Sequence, residues 1–417
     1  MRKAIPPLHY VTARIAEGPL LPYVDVFKQY LFDRGYTAKY IASCIGRIAH
    51  FAQWFYRQHL PIRGINEAVV AEFLDKHLPH CDCVGHPRRD RLGLRAALVH
   101  LLVVLRAGGA VAPRIVGTTH VDMELRRYDE HMDRVRGLAS RTRTLALRIV
   151  RRLLTSRFRD GPVDISAIKP AHVRHFFAQQ AKLHSKPAGT GTVTSALRGY
   201  FRYRASLGDA AHGLIGAVSY PANWQMASLP KALTDKEVEQ LVDSLGKPGH
   251  GMRRADAIVR CALDLGLRSG EVARLSLDDI DWRAGTIKLR HTKGRRDYLL
   301  PLPATTGEAI AAYLQQERPK TSNRDVFVRH VAPRDEPIGP DLVRKAIRQA
   351  YARAGLPYTG SHLLRHTMAS RLLASGSSLK EVADVLRHRS LNTTLIYAKL
   401  DSRNLASVAL PWPGSPS

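Results

Sequence analysis

Six residues in the C-terminal part of this 417-residue chain are of types that act together on phosphate. Arg268 lies in GLRSGEVARL, Lys293 in HTKGRR, His362 and Arg365 in SHLLRHT, His388 in VLRHRS and Tyr397 in TTLIYAKL. A phenol can attack a phosphodiester, and the pentacoordinate phosphate that results gathers negative charge, which fixed cationic donors hold. Glu271 is close enough to Arg268 to orient a guanidinium, or simply to favour a helix N-terminus. His362 and Arg365 are three residues apart and share a helix face, and His366 adds a further imidazole. Gly360 and Ser361 precede them as a helix start, where anions are naturally held. Lys293, beside Gly294 at a turn, has the reach to approach a leaving oxygen. Tyr397 lies nine positions after His388, so a short turn can bring the two together.

Each part also has an ordinary structural role. A lysine in a basic turn is usually solvated, and a tyrosine between Ile396 and Ala398 usually packs into a core. The order of the whole set, not any single member, sets it apart.

The elements that must position these groups are mostly helical. Residues 21–110 and 122–212 align as an internal repeat, each copy reading as about four amphipathic helices with apolar residues three and four apart. Helical periodicity by itself produces part of such similarity. In the second copy, Arg141, Arg148, Arg152 and Arg159 are seven, four and seven residues apart, which places them on one stripe of a helix. The first copy offers only Lys39, Arg47 and Arg57 there, so the second copy is the better grip on a duplex, with a solvated helix face as the alternative. Residues 216–231 carry two prolines and little periodicity and read as a linker. Thr234 with Glu237 opens the last domain as a capping box. Residues 279–303 alternate around turn signals as an antiparallel ribbon, with Arg295 and Arg296 at its tip available to a phosphate backbone. The domains are thus expected at 1–115, 116–215 and 232–417.

Composition narrows the ligand. Lys and Arg number 64 against 36 Asp and Glu, a net charge of +28, far more than solubility needs and suited to a polyanion. No apolar run approaches the length of a membrane span, and the N-terminus lacks the apolar centre of a secretory signal, so a cytoplasmic, nucleoid-associated protein is expected. The four cysteines, Cys44, Cys81, Cys83 and Cys261, are too few and scattered for a disulfide framework. Cys81, Cys83 and His86, with His77 and His80 nearby, hint at zinc. A Cys-x-Cys pair is shorter than the usual zinc spacing, however, and a polar loop explains the stretch, so no metal and no cofactor is expected.

With these motifs in hand, residues 232–410 resemble the catalytic domain of the tyrosine recombinase, or phage integrase, family. That family's order is Arg, Lys, His-x-x-Arg, His or Trp, then Tyr, which Arg268, Lys293, His362, Arg365, His388 and Tyr397 match. One departure is Arg387, where relatives usually carry Gly before the second histidine. The 122–212 bundle is similar to the family's SAM-like core-binding domain, whereas the first bundle has no counterpart in a minimal recombinase.

The resemblance implies a mainly α protein with a small antiparallel β-ribbon, consisting of helical bundles followed by a mixed α+β catalytic domain. It implies that Tyr397 attacks the scissile phosphate, forms a 3′-phosphotyrosyl bond and releases a 5′-hydroxyl, without metal or ATP. Arg268 and Arg365 would clamp the non-bridging oxygens, and Lys293 would protonate the leaving oxygen. His362 and His388 would donate hydrogen bonds, His362 also serving as acceptor for the phenol proton. It implies a C-clamp on double-stranded DNA, and four protomers holding two duplexes, alone or with other recombinases, to integrate, excise or transpose a mobile element. Two rivals share these residues: a type IB topoisomerase that relaxes DNA as a monomer, and a silent DNA-binding relative.

Overall fold

The structure is a computed structural model that describes residues 18–83, 89–113, 117, 119–159, 161–183, 187–220, 231–246, 249, 251–290, 297–334, 336–388 and 394–400. It divides into two compact units, one formed by residues 1–111 with 226–417 and the other by residues 112–225. Among the described residues no helix is long and apolar enough to cross a membrane.

The first bundle consists of α1 (Val24–Asp33), α2 (Ala38–Arg57), α3 (Glu67–Glu72) and α4 (Arg91–Ala107). Helix α2 begins where Thr37 accepts from the Tyr40 N–H, satisfying an otherwise orphan donor. Its buried residues Ile41, Ile45, Ile48, Phe51 and Phe55 recur every three or four positions, so one face enters the core against Phe73, Leu98, Leu101 and Leu105. Each such side chain contributes about 1.5–3 kcal/mol by leaving water. A wide helical turn, Phe73–His77, continues α3.

The second unit consists of α5 (His120–Glu130), α6 (Ser140–Phe158), α7 (Pro170–Lys182), α8 (Pro187–Ser206) and the short α9 (His212–Gly216). Its core holds Leu125, Tyr128, Val150, Leu154, Phe176, Leu197 and Phe201. Glu124 is buried there, and it is stabilised because it accepts from the Tyr200 hydroxyl at 2.9 Å and from Arg204 at 3.1 Å.

In the C-terminal part, α10 (Asp235–Asp243) starts with the expected capping box, Thr234 and Glu237 each accepting from the other's N–H. Helix α11 (Met252–Leu263) is central and packs on α13 (Ala304–Gln316), α14 (Pro340–Arg353) and α15 (His362–Ala374). Between the short α12 (Ser269–Val272) and α13 lies the ribbon, β1 (Ile280–Asp281), β2 (Thr286–Leu289) and β3 (Tyr298–Pro301), antiparallel in the order 1-2-3. Asp281 closes its first turn by accepting from the Arg283 and Ala284 N–H groups, and Gly285 supplies the positive φ of +63° that follows. Helix α16 (Leu379–Val385) and a tight turn at Leu395–Leu400 end the described chain. The protein is therefore mainly helical with one small antiparallel sheet, as expected from its periodicity.

Candidate active site

The first cation of the set is placed by a break between two helices. Helix α11 ends at Leu263 and α12 begins at Ser269, with Gly266 between them at φ +57°. The positive φ is what favours glycine here, and a Cβ on Gly266 would also come within 2.6 Å of the Met368 sulfur, which would have to shift. Arg268 occupies the N-cap of α12. Its guanidinium donates to Glu271 Oε1 at 2.8 Å, and its N–H donates to Oε2 at 2.9 Å. The Ser269 hydroxyl donates to that of Ser361 at 3.0 Å, tying the start of α12 to the start of α15.

Helix α15 carries His362, Arg365 and His366. Arg365 is only 4% exposed; it donates to the Gly266 carbonyl at 2.5 Å and to the Leu386 carbonyl. Burial, then Arg268 and Arg387, push its pKa down to about 9, so it remains charged at neutral pH. Burial also lowers His362, with Arg365 and Arg268 adding to the effect, and lowers His366, with His362 and Arg365 adding. Both rings are therefore biased toward the neutral form.

Tyr397 is 1% exposed and sits in a small cluster with Ala369, Val382 and Leu386. Its hydroxyl lies 2.5 Å from His366 Nδ1, which accepts the phenol O–H in the neutral tautomer that carries its proton on Nε2. Sequence reasoning expects that role of His362; the Tyr397 hydroxyl contact lies at His366, one turn further along α15. Burial pushes the Tyr397 pKa up to about 12, a rise that Arg365 and Arg268 oppose. His388 reaches the same region through Thr394, sharing a 2.8 Å hydrogen bond between Nδ1 and Oγ1, while the Thr394 carbonyl accepts from the Tyr397 N–H at 2.9 Å. Burial, then Arg365, Arg268 and Arg387, depress His388 to about 4, so it is neutral here.

Arg387 accounts for the glycine expected at its position. Its φ is +55°, in the left-handed region that glycine adopts freely. The arginine is nonetheless held, 6% exposed, by donating to Glu271 Oε2 at 3.0 Å and to the Gly266 carbonyl at 3.4 Å. Burial raises the Glu271 pKa, but Arg387 and the Arg268 N–H and charge outweigh it, and the net shift is downward. Glu271 is thus a carboxylate shared by two arginines, and Gly266 a carbonyl shared by Arg365 and Arg387. Sequence reasoning missed Gly266 and saw Arg387 only as a departure; Gly before Leu-Arg was the available signal for the former.

Lys293, Arg295 and Arg296 lie outside the described residues. Far from this site in sequence, Arg141, Arg148 and Arg152 are exposed on α6, and Arg152 also donates to Gln180 at 3.1 Å. Arg159 departs from the expected stripe. Helix α6 stops at Phe158, and Arg159 turns to φ +50°, so helical spacing no longer sets its direction.

Comparison with known proteins places these features. The phage integrase family profile matches residues 231–403. The chain is 36% identical over 411 residues to the putative integrase/recombinase y4rA of Sinorhizobium fredii (strain NBRC 101917 / NGR234), covering 97% of each. It is 31% identical over 313 residues to the tyrosine recombinase XerC of Rhizobium meliloti (strain 1021), covering 70% of this chain and 93% of that one. Among solved structures, the XerH site-specific recombinase bound to palindromic difH substrate in a post-cleavage complex aligns with a TM-score of 0.53 at 18% identity, covering 84% of this chain and 99% of that one. At that identity the likeness is one of fold.

Proposed function

The chain belongs to the phage integrase family of tyrosine recombinases and is a site-specific DNA recombinase that breaks and rejoins strands, and from that premise we propose how its own residues perform the reaction. The Tyr397 oxygen attacks the scissile phosphorus and passes its proton to His366 Nδ1, giving a 3′-phosphotyrosyl bond. The 5′-oxygen leaves and takes a proton from Lys293. Arg268 and Arg365 hold the non-bridging oxygens as charge builds on them, with His362 and His388 as further hydrogen-bonding groups. Attack by a 5′-hydroxyl on the phosphotyrosine reverses the steps and reseals the strand.

The observation that carries this reading is the 2.5 Å contact between the Tyr397 hydroxyl and His366, in the field of Arg365 and Arg268. The 116–215 region supplies phosphate contacts through Arg141, Arg148 and Arg152, and Arg295 and Arg296 add to them from the ribbon. Four protomers acting on two duplexes at the nucleoid, moving a mobile element by integration, excision or transposition, form the assembly and use that fit this chemistry.

The test uses nicked duplexes tiled across the DNA flanking the encoding gene, in which the cleaved end diffuses away and traps the covalent product. Wild-type protein is expected to yield an adduct whose modified peptide contains Tyr397. Tyr397→Phe is expected to give none while still shifting the duplex in a gel. Adducts that persist in that variant, or that map to another residue, would overturn the assignment.

A further inference from the structure

The first bundle contains a group of side chains that strand exchange does not use. His50 of α2, His77 at the end of the wide turn after α3, and Cys81 and Cys83 in the following segment place one ligand atom each within 4.8 Å of every other. His50 Nε2 is 3.1 Å from Cys81 Sγ, and His77 Nε2 is 3.4 Å from Cys83 Sγ. His50, Cys81 and Cys83 are buried. From these contacts we infer that the first bundle binds a structural zinc ion through His50, His77, Cys81 and Cys83.

The ligand set and its dimensions both support this. Two sulfurs and two imidazole nitrogens form a closed tetrahedral set that suits zinc, with no position left for a substrate. Zinc–sulfur and zinc–nitrogen bonds of about 2.3 and 2.1 Å imply sulfur-to-nitrogen edges of roughly 3.6 Å in a tetrahedron, close to the two contacts above.

The short Cys-x-Cys spacing, which argued against zinc in the sequence, is resolved by the backbone. Cys81 leaves the preceding helical turn at φ −64° and ψ 121°, and the sulfurs of Cys81 and Cys83 both lie within 4.8 Å of the two imidazole nitrogens. The other two ligands come from elsewhere in the fold. His77 stacks on Phe73 at 5.4 Å, and His50 meets the same ring edge-on at 5.1 Å, so the core already fixes both imidazoles. Arg89 donates to the Cys81 carbonyl at 2.9 Å and so ties down the segment that carries the two cysteines. His86, a sequence candidate, lies outside the described residues, and His80 is exposed and outside the group. The ion would fasten the 78–83 segment onto α2.

The experiment uses the full-length protein, purified without a histidine tag and dialysed against metal-free buffer. Elemental analysis is expected to find one zinc per chain, and Cys81→Ser/Cys83→Ser is expected to abolish it, whereas Cys44→Ser and Cys261→Ser keep it. Because the double variant can fail to fold, wild-type protein is also loaded with Co2+ alone. Thiolate-to-cobalt charge transfer and tetrahedral ligand-field bands are expected, with the charge-transfer intensity roughly halved in Cys83→His as one of the two thiolates is removed. Folded wild-type protein that holds no zinc and gives no such bands would overturn the inference. So would zinc that survives in the double variant or is lost with Cys44 or Cys261.

Discussion

Glu271 shows how a single residue sets the geometry of the candidate active site. It is 7% exposed and accepts from Arg268 and Arg387, which would otherwise repel each other and Arg365. Glu271→Gln leaves Arg387 buried without a counter-charge, so thermal unfolding should show a loss of about 3–5 kcal/mol, the usual cost of breaking a buried pair from one side. Adding Arg387→Gly removes the stranded cation and puts glycine at φ +55°, so the double variant is expected to regain most of that loss. Simple additivity of the two changes would sink this coupling. His388 carries a second expectation. Its pKa is depressed to about 4, while an unfolded imidazole titrates near about 6.5. The unfolded chain therefore binds more protons between those values, and stability present above pH of about 6.5 drains away as pH falls toward 4. Melting curves across that window should be flatter in His388→Gln than in wild type, and equal slopes would exclude His388 as the source.

At the scale of elements, α6 presents the clearest binding face. Its apolar residues Ile149, Val150, Leu153 and Leu154 enter the core, while Arg148 and Arg152 remain exposed on the other side. If these arginines neutralise phosphates, replacing both with alanine weakens binding to every duplex sequence alike. The slope of log affinity against log salt should become shallower by about 0.9 for each phosphate that is no longer neutralised. Titrations over a range of salt measure this, and an unchanged slope would reduce the stripe to a solvated face. Arg159 is a limit on such reasoning, because spacing assigns a direction only while the helix lasts. The ribbon was legible for a different reason: alternation and turn residues are local signals, and they marked an antiparallel ribbon of two or three strands over 279–303, while the structure set three strands in the order 1-2-3.

For the whole molecule, a charge of +28 and two helical bundles ahead of the C-terminal part suit an assembly on DNA. Tyr397→Phe protein mixed with recombination-site duplex is expected to form a complex with the mass of four chains and two duplexes, read by light scattering. A mass of one chain per duplex would instead fit a monomer that relaxes DNA. The sequence by itself determined the class of chemistry, the helical architecture and the ribbon, and it singled out Arg268, Arg365 and Tyr397 as candidates, because each is encoded by residue type, spacing or order along the chain. Only the tertiary structure showed that His366 faces the phenol, that Gly266 and Glu271 are each shared by two arginines, and that Arg387 stands at a left-handed position. It alone brought His50 to Cys81 from 31 residues away. Such convergences depend on how helices pack and where backbones turn, and no local pattern in a chain records which distant side chains packing will bring within hydrogen-bond reach.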